Sequence, residues 1–126
     1  LKVDDRVNFL GERDDVPDIL HSSDIFLLIS NWEGYPLSIL EAMSCGLPII
    51  ASDVGGVSEA IVNEKNGYLI PRKDVKQLES CLLTLIENES LRKKMSLINS
   101  EEFIEKHSVE CMYKKTMNVY NEVLSL

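Results

Sequence analysis

At 126 residues the chain suits one domain that buries roughly two-thirds of the surface its unfolded form exposes. Its formal charge of -8, from 21 acidic against 13 basic residues, excludes a generic nucleic-acid backbone binder, whose affinity comes from clustered Lys and Arg. The longest apolar runs fall far short of the roughly 20 residues that span a bilayer, and the first residues carry no signal-peptide pattern, so the chain reads as soluble.

The predicted elements run strand, helix, strand, helix and then helix alone. VNFL (Val7 to Leu10) is the first expected strand, and a short helix over VPDILHSS follows the acidic pair Asp14 and Asp15. IFLLIS (Ile25 to Ser30) and PIIAS (Pro48 to Ser52) are apolar almost throughout, as strands covered on both faces must be. Between them PLSILEAMSCG has Pro36 near its first turn and Gly46 then Pro48 past its end, the start and stop chemistry of a helix. GVSEAIVNEKNG predicts a further short helix ended by Asn66 and Gly67, and GYLI (Gly67 to Ile70) a last strand. This alternation implies right-handed crossovers and a parallel sheet with helices on both faces.

After Pro71 three helices are expected. The first is capped by Asp74 and carries an apolar stripe of Val75, Leu78, Cys81, Leu82, Leu85 and Ile86. The second starts on Ser90 and turns Leu91, Met95, Ile98 and Phe103 inward. The third carries Met112, Met117, Tyr120, Val123 and Leu124. Three scattered cysteines, Cys45, Cys81 and Cys111, suggest neither a disulfide framework nor a zinc knuckle and fit a reducing cytoplasm.

The chemistry concentrates in NWEGYPLSILEAMSCG, where the chain leaves a buried strand, turns, and enters a helix at about Pro36. Ligands of open parallel sheets bind beyond the carboxyl ends of the strands, which is where this turn lies. Gly34 lets a ligand approach the backbone, and the free amides of Leu37, Ser38 and Ile39 with the helix dipole suit a phosphate. Glu33 lies just before the helix and Glu41 about one turn inside it. Two carboxylates would repel a bare phosphate, but each can accept two neighbouring hydroxyls. Phosphate between two polyols describes a nucleotide sugar. Glutamates near a helix start also serve the dipole and the cap, so spacing alone leaves both readings open.

SDIFLLISNWEGYPLSILEAMSCGLPIIASDVGGVSEAIVNEKNGYLI closely resembles the donor-binding domain of retaining GT-B glycosyltransferases of the group 1, family-four type, which build capsule, exopolysaccharide and lipopolysaccharide. Glu33 and Glu41 match that family's E-x7-E signature, and GLPIIASDVGG and NGYLI follow in the expected order. The resemblance implies a Rossmann-like partial GT-B C-terminal domain with a helical tail, spanning residues 1–126 as one donor-binding unit. It implies that Glu41 holds ribose hydroxyls and that Glu33 contacts the transferred sugar near its reacting carbon. Gly34, Tyr35, Pro36, Leu37 and Ser38 would clamp sugar and diphosphate, and Gly11 with Glu12 would lie against the base. It implies no metal and no cofactor, the leaving phosphate itself helping to deprotonate the acceptor hydroxyl. The partners implied are a nucleotide sugar and a saccharide or lipid-linked acceptor, in the cytoplasm or peripheral to the inner face of the membrane.

Family members also carry, upstream, an Arg and a Lys that neutralise the diphosphate and a whole N-terminal acceptor domain. Neither is matched here. Arg13, Arg72 and Lys73 are the nearest basic residues and none fits that pattern, so the expectation is a fragment inactive by itself. In the family's strand order, 3-2-1-4-5-6, its strands would be 3, 4, 5 and 6. VNFL should then either move in beside IFLLIS or leave that edge to another chain. The alternatives are a non-catalytic nucleotide-binding or scaffold module of the same fold, and a sugar-nucleotide epimerase.

The other candidates read as structural. Cys45 is expected to be a buried small residue and His21 and His107 to cap or solvate helix ends. Asp14, Asp15 and Asp18 resemble the metal-binding Asp-x-Asp of the other glycosyltransferase fold, but N-capping explains them better. Trp32 is placed at the cleft rim, with stacking on a sugar as its alternative role. Gly55 and Gly56 read as a tight strand-to-helix turn that also lines the cleft.

Overall fold

The computed structural model describes residues 3–125. Three parallel strands, β1 (Phe26–Leu28), β2 (Ile49–Ser52) and β3 (Gly67–Ile70), lie in that order, with Ile49 between Phe26 and Gly67. All four residues of β2 are buried, because helices cover both faces of the central strand. Ile49 and Ala51 point to one layer, formed by α1 (Val16–His21), α2 (Leu37–Ser44) and α3 (Val57–Ala60), and pack with Leu20, Ile39, Met43, Val57 and Ile61. Ile50 points the other way and packs with Cys81 and Leu85 of α4 (Val75–Glu87) and Met95 of α5 (Glu89–Glu102). The expected three-layer α/β architecture is therefore present, and β1, β2 and β3 stand in the relative order of strands 4, 5 and 6.

Val7–Leu10 is not a strand. It runs as exposed coil with Phe9 96% exposed, and it does not move in beside β1. A strand forms only where the run is docked along a neighbour's free backbone groups; among the described residues β1 pairs on one side alone, yet Val7–Leu10 is not laid along its open edge. The outer edge of β1 leaves Leu27 and Ile29 exposed.

α3 stops after one turn because Asn66 competes for its backbone. The Asn66 carboxamide accepts from the Val62 amide at 2.8 Å and donates to the Ala60 carbonyl at 3.0 Å, groups that a longer helix would have used internally. Gly46 closes α2 with φ +68, and a Cβ there would meet the Ser96 and Ser100 hydroxyls at under 3 Å, so the residue also lets α5 approach.

Asp74 caps α4 as expected, accepting from the Gln77 amide at 2.9 Å. Only Cys81 and Leu85 of its stripe are buried; Val75 and Ile86, at the two ends of α4, are exposed. α5 is capped by Asn88, not Ser90, because Asn88 is the single residue between two helices: its amide closes α4 on Thr84 while its side chain accepts from Leu91. Of its expected inward residues, Met95 is buried and Leu91, Ile98 and Phe103 are half-buried. A π-helical turn over Phe103–His107 then leads to α6 (Val109–Leu124), which Ser108 caps and whose apolar residues are unpacked among the described residues.

At the amino end of the sheet Glu102 is buried, accepting from Lys65 at 2.7 Å, Lys106 at 3.0 Å and Asn66 at 3.1 Å. Burial pushes its carboxyl up, but the two lysine bonds outweigh that and hold it below the usual range. Asn99 ties the same corner together, donating to the carbonyls of Leu47 at 2.7 Å and Asn66 at 2.8 Å.

Candidate functional site

At the opposite, carboxyl end of the sheet, the loops that leave the three strands meet. The loop after β1 is anchored at its root, where the Ser30 amide donates to Ser52 Oγ at 3.2 Å, and the Ser30 hydroxyl donates to Glu33 Oε1 at 2.6 Å. Glu33 is thereby half-buried and aimed, with one oxygen engaged. The loop lies directly on the turn after β2. The Gly56 amide donates to the Gly34 carbonyl at 2.8 Å, and Gly55, at φ +53, comes so close to the Glu33 carbonyl that a Cβ would sit 1.8 Å from its oxygen. Only glycine fits there, by space and by backbone angle.

α2 begins at Leu37 with Pro36 in the capping position and no side-chain cap. Among the described residues the amides of Leu37 and Ser38 meet no acceptor. The Ile39 amide, expected to be free, donates instead to the Pro36 carbonyl at 3.1 Å, since a proline cap offers no side-chain oxygen and the first turn tightens on the backbone. Glu41, one turn in, is exposed, and its carboxylate makes no hydrogen bond among the described residues. Gly34 faces open space where a side chain would stand.

Two features here left no local signal in the sequence. Tyr35 reaches the tail: its hydroxyl lies 3.0 Å from His107 Nδ1, and the rings tilt at 42° with centroids 6.2 Å apart. His107 therefore joins the site loop instead of solvating a helix end. Burial and the nearby Lys115 and Lys106 push its imidazole below its ordinary value against the pull of Glu102, while burial and then Glu59 raise the Tyr35 phenol. The second feature is Arg72, which leaves β3 and donates to the Asn31 carbonyl at 3.2 Å. With Asn31, Trp32 and Lys73 it lines an open cleft at the rim.

The remaining candidates lie apart. Gly11 and Glu12 are exposed, and no hydrogen bond among the described residues joins them to the Glu33 loop. Asp15 occupies the capping position of α1 without capping it, because its carboxylate is held by Arg13 at 2.7 Å. Cys45 is half-buried rather than buried, since it ends α2 at the surface, with Sγ 3.9 Å from His21 Nε2. Among the described residues no three His, Cys, Asp or Glu side chains are grouped to hold a metal, and no helix is long and apolar enough to cross a membrane.

The family model for Glycosyl transferases group 1 matches residues 1–101. N-acetyl-alpha-D-glucosaminyl L-malate synthase of Bacillus anthracis is 36% identical over 98% of this chain and 32% of its own length. An Escherichia coli UDP-Gal:alpha-D-GlcNAc-diphosphoundecaprenol alpha-1,3-galactosyltransferase is 43% identical over 68% of the chain and 22% of its own. Among solved structures, Anabaena HepE in complex with UDP superposes with a TM-score of 0.89 at 25% identity, over 94% of this chain and 33% of that one. The chain thus spans about a third or less of the length of these relatives.

Proposed function

The chain belongs to the group 1 glycosyltransferases, and from that premise we propose that it is the donor-binding half of a retaining enzyme that moves a sugar from a nucleotide diphosphate to a saccharide or lipid-linked acceptor. One observation carries this reading. At the carboxyl end of a parallel sheet, a carboxylate and two helix-start amides remain unengaged among the described residues, directly beside a carboxylate already fixed by Ser30. The UDP named in the HepE structure and the UDP-Gal named for the Escherichia coli relative support a uridine diphosphate sugar as the first donor to try.

In this account Glu41 accepts the ribose hydroxyls, and the Leu37 and Ser38 amides with the α2 dipole take the diphosphate. The Gly34 to Pro36 backbone lies along sugar and phosphate, and Gly11 with Glu12 approach the base. Glu33, oriented by Ser30, accepts from the transferred sugar near its anomeric carbon, where it stabilises positive charge as the bond to phosphate lengthens. That carbon-oxygen bond breaks as the acceptor oxygen bonds on the same face, and the departing phosphate takes the acceptor proton. No enzymic nucleophile and no metal enters the scheme. A role in cell-surface polysaccharide synthesis, with the enzyme in the cytoplasm or against the membrane, is part of the same proposal.

A binding screen of nucleotide sugars against the intact protein, in excess EDTA, tests it. One nucleotide sugar is expected to bind, with its plain nucleotide retaining most of the affinity. Binding of none, or only with manganese, would overturn the reading.

A further inference from the structure

The rim cleft brings together residues from the two outer strands. Asn31 and Trp32 follow β1, Arg72 and Lys73 follow β3, and the bond from Arg72 Nη1 to the Asn31 carbonyl closes the gap over the end of β2. Trp32 is 81% exposed there, although an indole usually finds cover.

The cleft also carries two cations. In a chain of net charge -8, Arg13, Lys65, Lys93, Lys106 and Lys114 are each tied to a carboxylate. Arg72 and Lys73, like Arg6, Lys76, Arg92, Lys94 and Lys115, form no ion pair among the described residues, and the two stand side by side in the cleft with Trp32. Lys73 also holds φ at +63, a left-handed conformation that costs a side-chain-bearing residue free energy and that glycine or asparagine would adopt more readily.

Two positive charges without a counterion, one of them a guanidinium fork, suit a phosphate. An exposed indole face beside them suits the apolar face of a sugar ring. We propose that the Asn31–Trp32–Arg72–Lys73 cleft binds a phosphorylated sugar, the phosphate on Arg72 and Lys73 and the ring against Trp32. The proposal rests on the sugar-transfer reading of the neighbouring Glu33 loop for what that phosphate belongs to. It is the acceptor's phosphate, held beside the transferred sugar, since the donor's diphosphate is already placed on the Leu37 and Ser38 amides.

Trp32 is the sole tryptophan of this sequence, so its emission reports the cleft, and a Trp32→Phe control isolates its signal in the intact protein. Glucose 1-phosphate should change that emission saturably and glucose at equal concentration should not. Arg72→Gln and Lys73→Gln should each raise the half-saturating concentration about tenfold, the loss of one charge-assisted bond. The Lys73 side chain makes no hydrogen bond among the described residues, and its carbonyl keeps the bond from the Val75 amide in the variant, so Lys73→Gln carries no folding cost from a lost contact. No response, an equal response to glucose, or unchanged half-saturation in both variants would overturn the proposal. Repeating the titration at saturating UDP separates the cleft from the donor site: the response should persist, and displacement by UDP would overturn the proposal by assigning the response to the donor diphosphate. UDP binding that fails by calorimetry while the glucose 1-phosphate response stands would sink the donor reading alone; the reverse would sink the cleft alone.

Discussion

The Tyr35 hydroxyl and His107 Nδ1 lie 3.0 Å apart although 72 positions separate them in sequence, so the C-terminal tail holds the loop that presents Glu33. His107→Ala should free that loop and speed amide exchange over Trp32 to Leu37 about fivefold, the worth of one net hydrogen bond. His107→Asn, which keeps an acceptor near the Nδ1 position, should restore most of the protection. Equal exchange in the alanine variant and wild type would remove the tail from any role in the loop.

His107 also gives the fold a pH dependence of fixed sign. Burial, Lys115 and Lys106 hold the His107 pKa below 6.5, so the unfolded chain takes up the proton first and stability falls as pH drops. The contribution is complete above about pH 6.5 and is lost as pH falls through the lower folded value. Denaturant melts from pH 8 to 5 should show a shallower decline in His107→Asn than in wild type. A steeper decline would mean that the imidazole is charged in the fold.

Gly55→Ala places a methyl group on the Glu33 carbonyl and forces a side-chain-bearing residue to φ +53. The backbone angle alone costs about 1 to 2 kcal/mol, and displacing the loop adds to it. A melting-temperature drop of several degrees is expected, with nucleotide binding weakened beyond the stability loss. Wild-type stability in this variant would refute the close packing of the two loops.

Asn66→Ala removes the partners of the Val62 amide, the Ala60 carbonyl and one oxygen of buried Glu102. Leaving buried polar groups unpaired costs roughly 1 to 3 kcal/mol each, so a loss of about 3 kcal/mol in urea denaturation is expected. Nucleotide affinity in the folded fraction should be unchanged, because this corner lies at the amino end of the sheet.

Glu33→Gln and Ser30→Ala address the same oxygen from two sides, since Ser30 donates to Glu33 Oε1. Glu33→Gln should spare the affinity for plain nucleotide and lower kcat, while Ser30→Ala should give a smaller loss of the same kind. Equal losses in nucleotide binding and turnover would contradict the division of roles between Glu33 and Glu41.

Much of the fold was legible because the buried strands announce themselves. β3 falls on GYLI residue for residue, β2 lacks only Pro48 of PIIAS, and the α2 boundaries follow from Pro36 and Gly46. Local composition failed where a distant partner decides the outcome. VNFL has strand-forming residues but does not dock on the open edge of β1, and α3 ends early because a side chain six residues past Ala60 captures its carbonyl. The helix start was read from sequence, yet the Ile39 amide is spent on Pro36, which only the tightness of the first turn reveals. His107 and Arg72 reach the site loop through tertiary contacts of 72 and 41 residues' separation, and no spacing rule addresses those.

The central claim, that Glu41 and the start of α2 hold a nucleotide, is tested most directly by calorimetric titration of UDP into the intact protein and its Glu41→Gln variant. Hydrogen bonds to a charged acceptor are worth about 1.5 to 3 kcal/mol each, so the variant should bind at least tenfold more weakly while its melting temperature stays within about a degree, as expected for an exposed side chain without hydrogen bonds of its own. Equal UDP affinity in the two proteins would contradict the account.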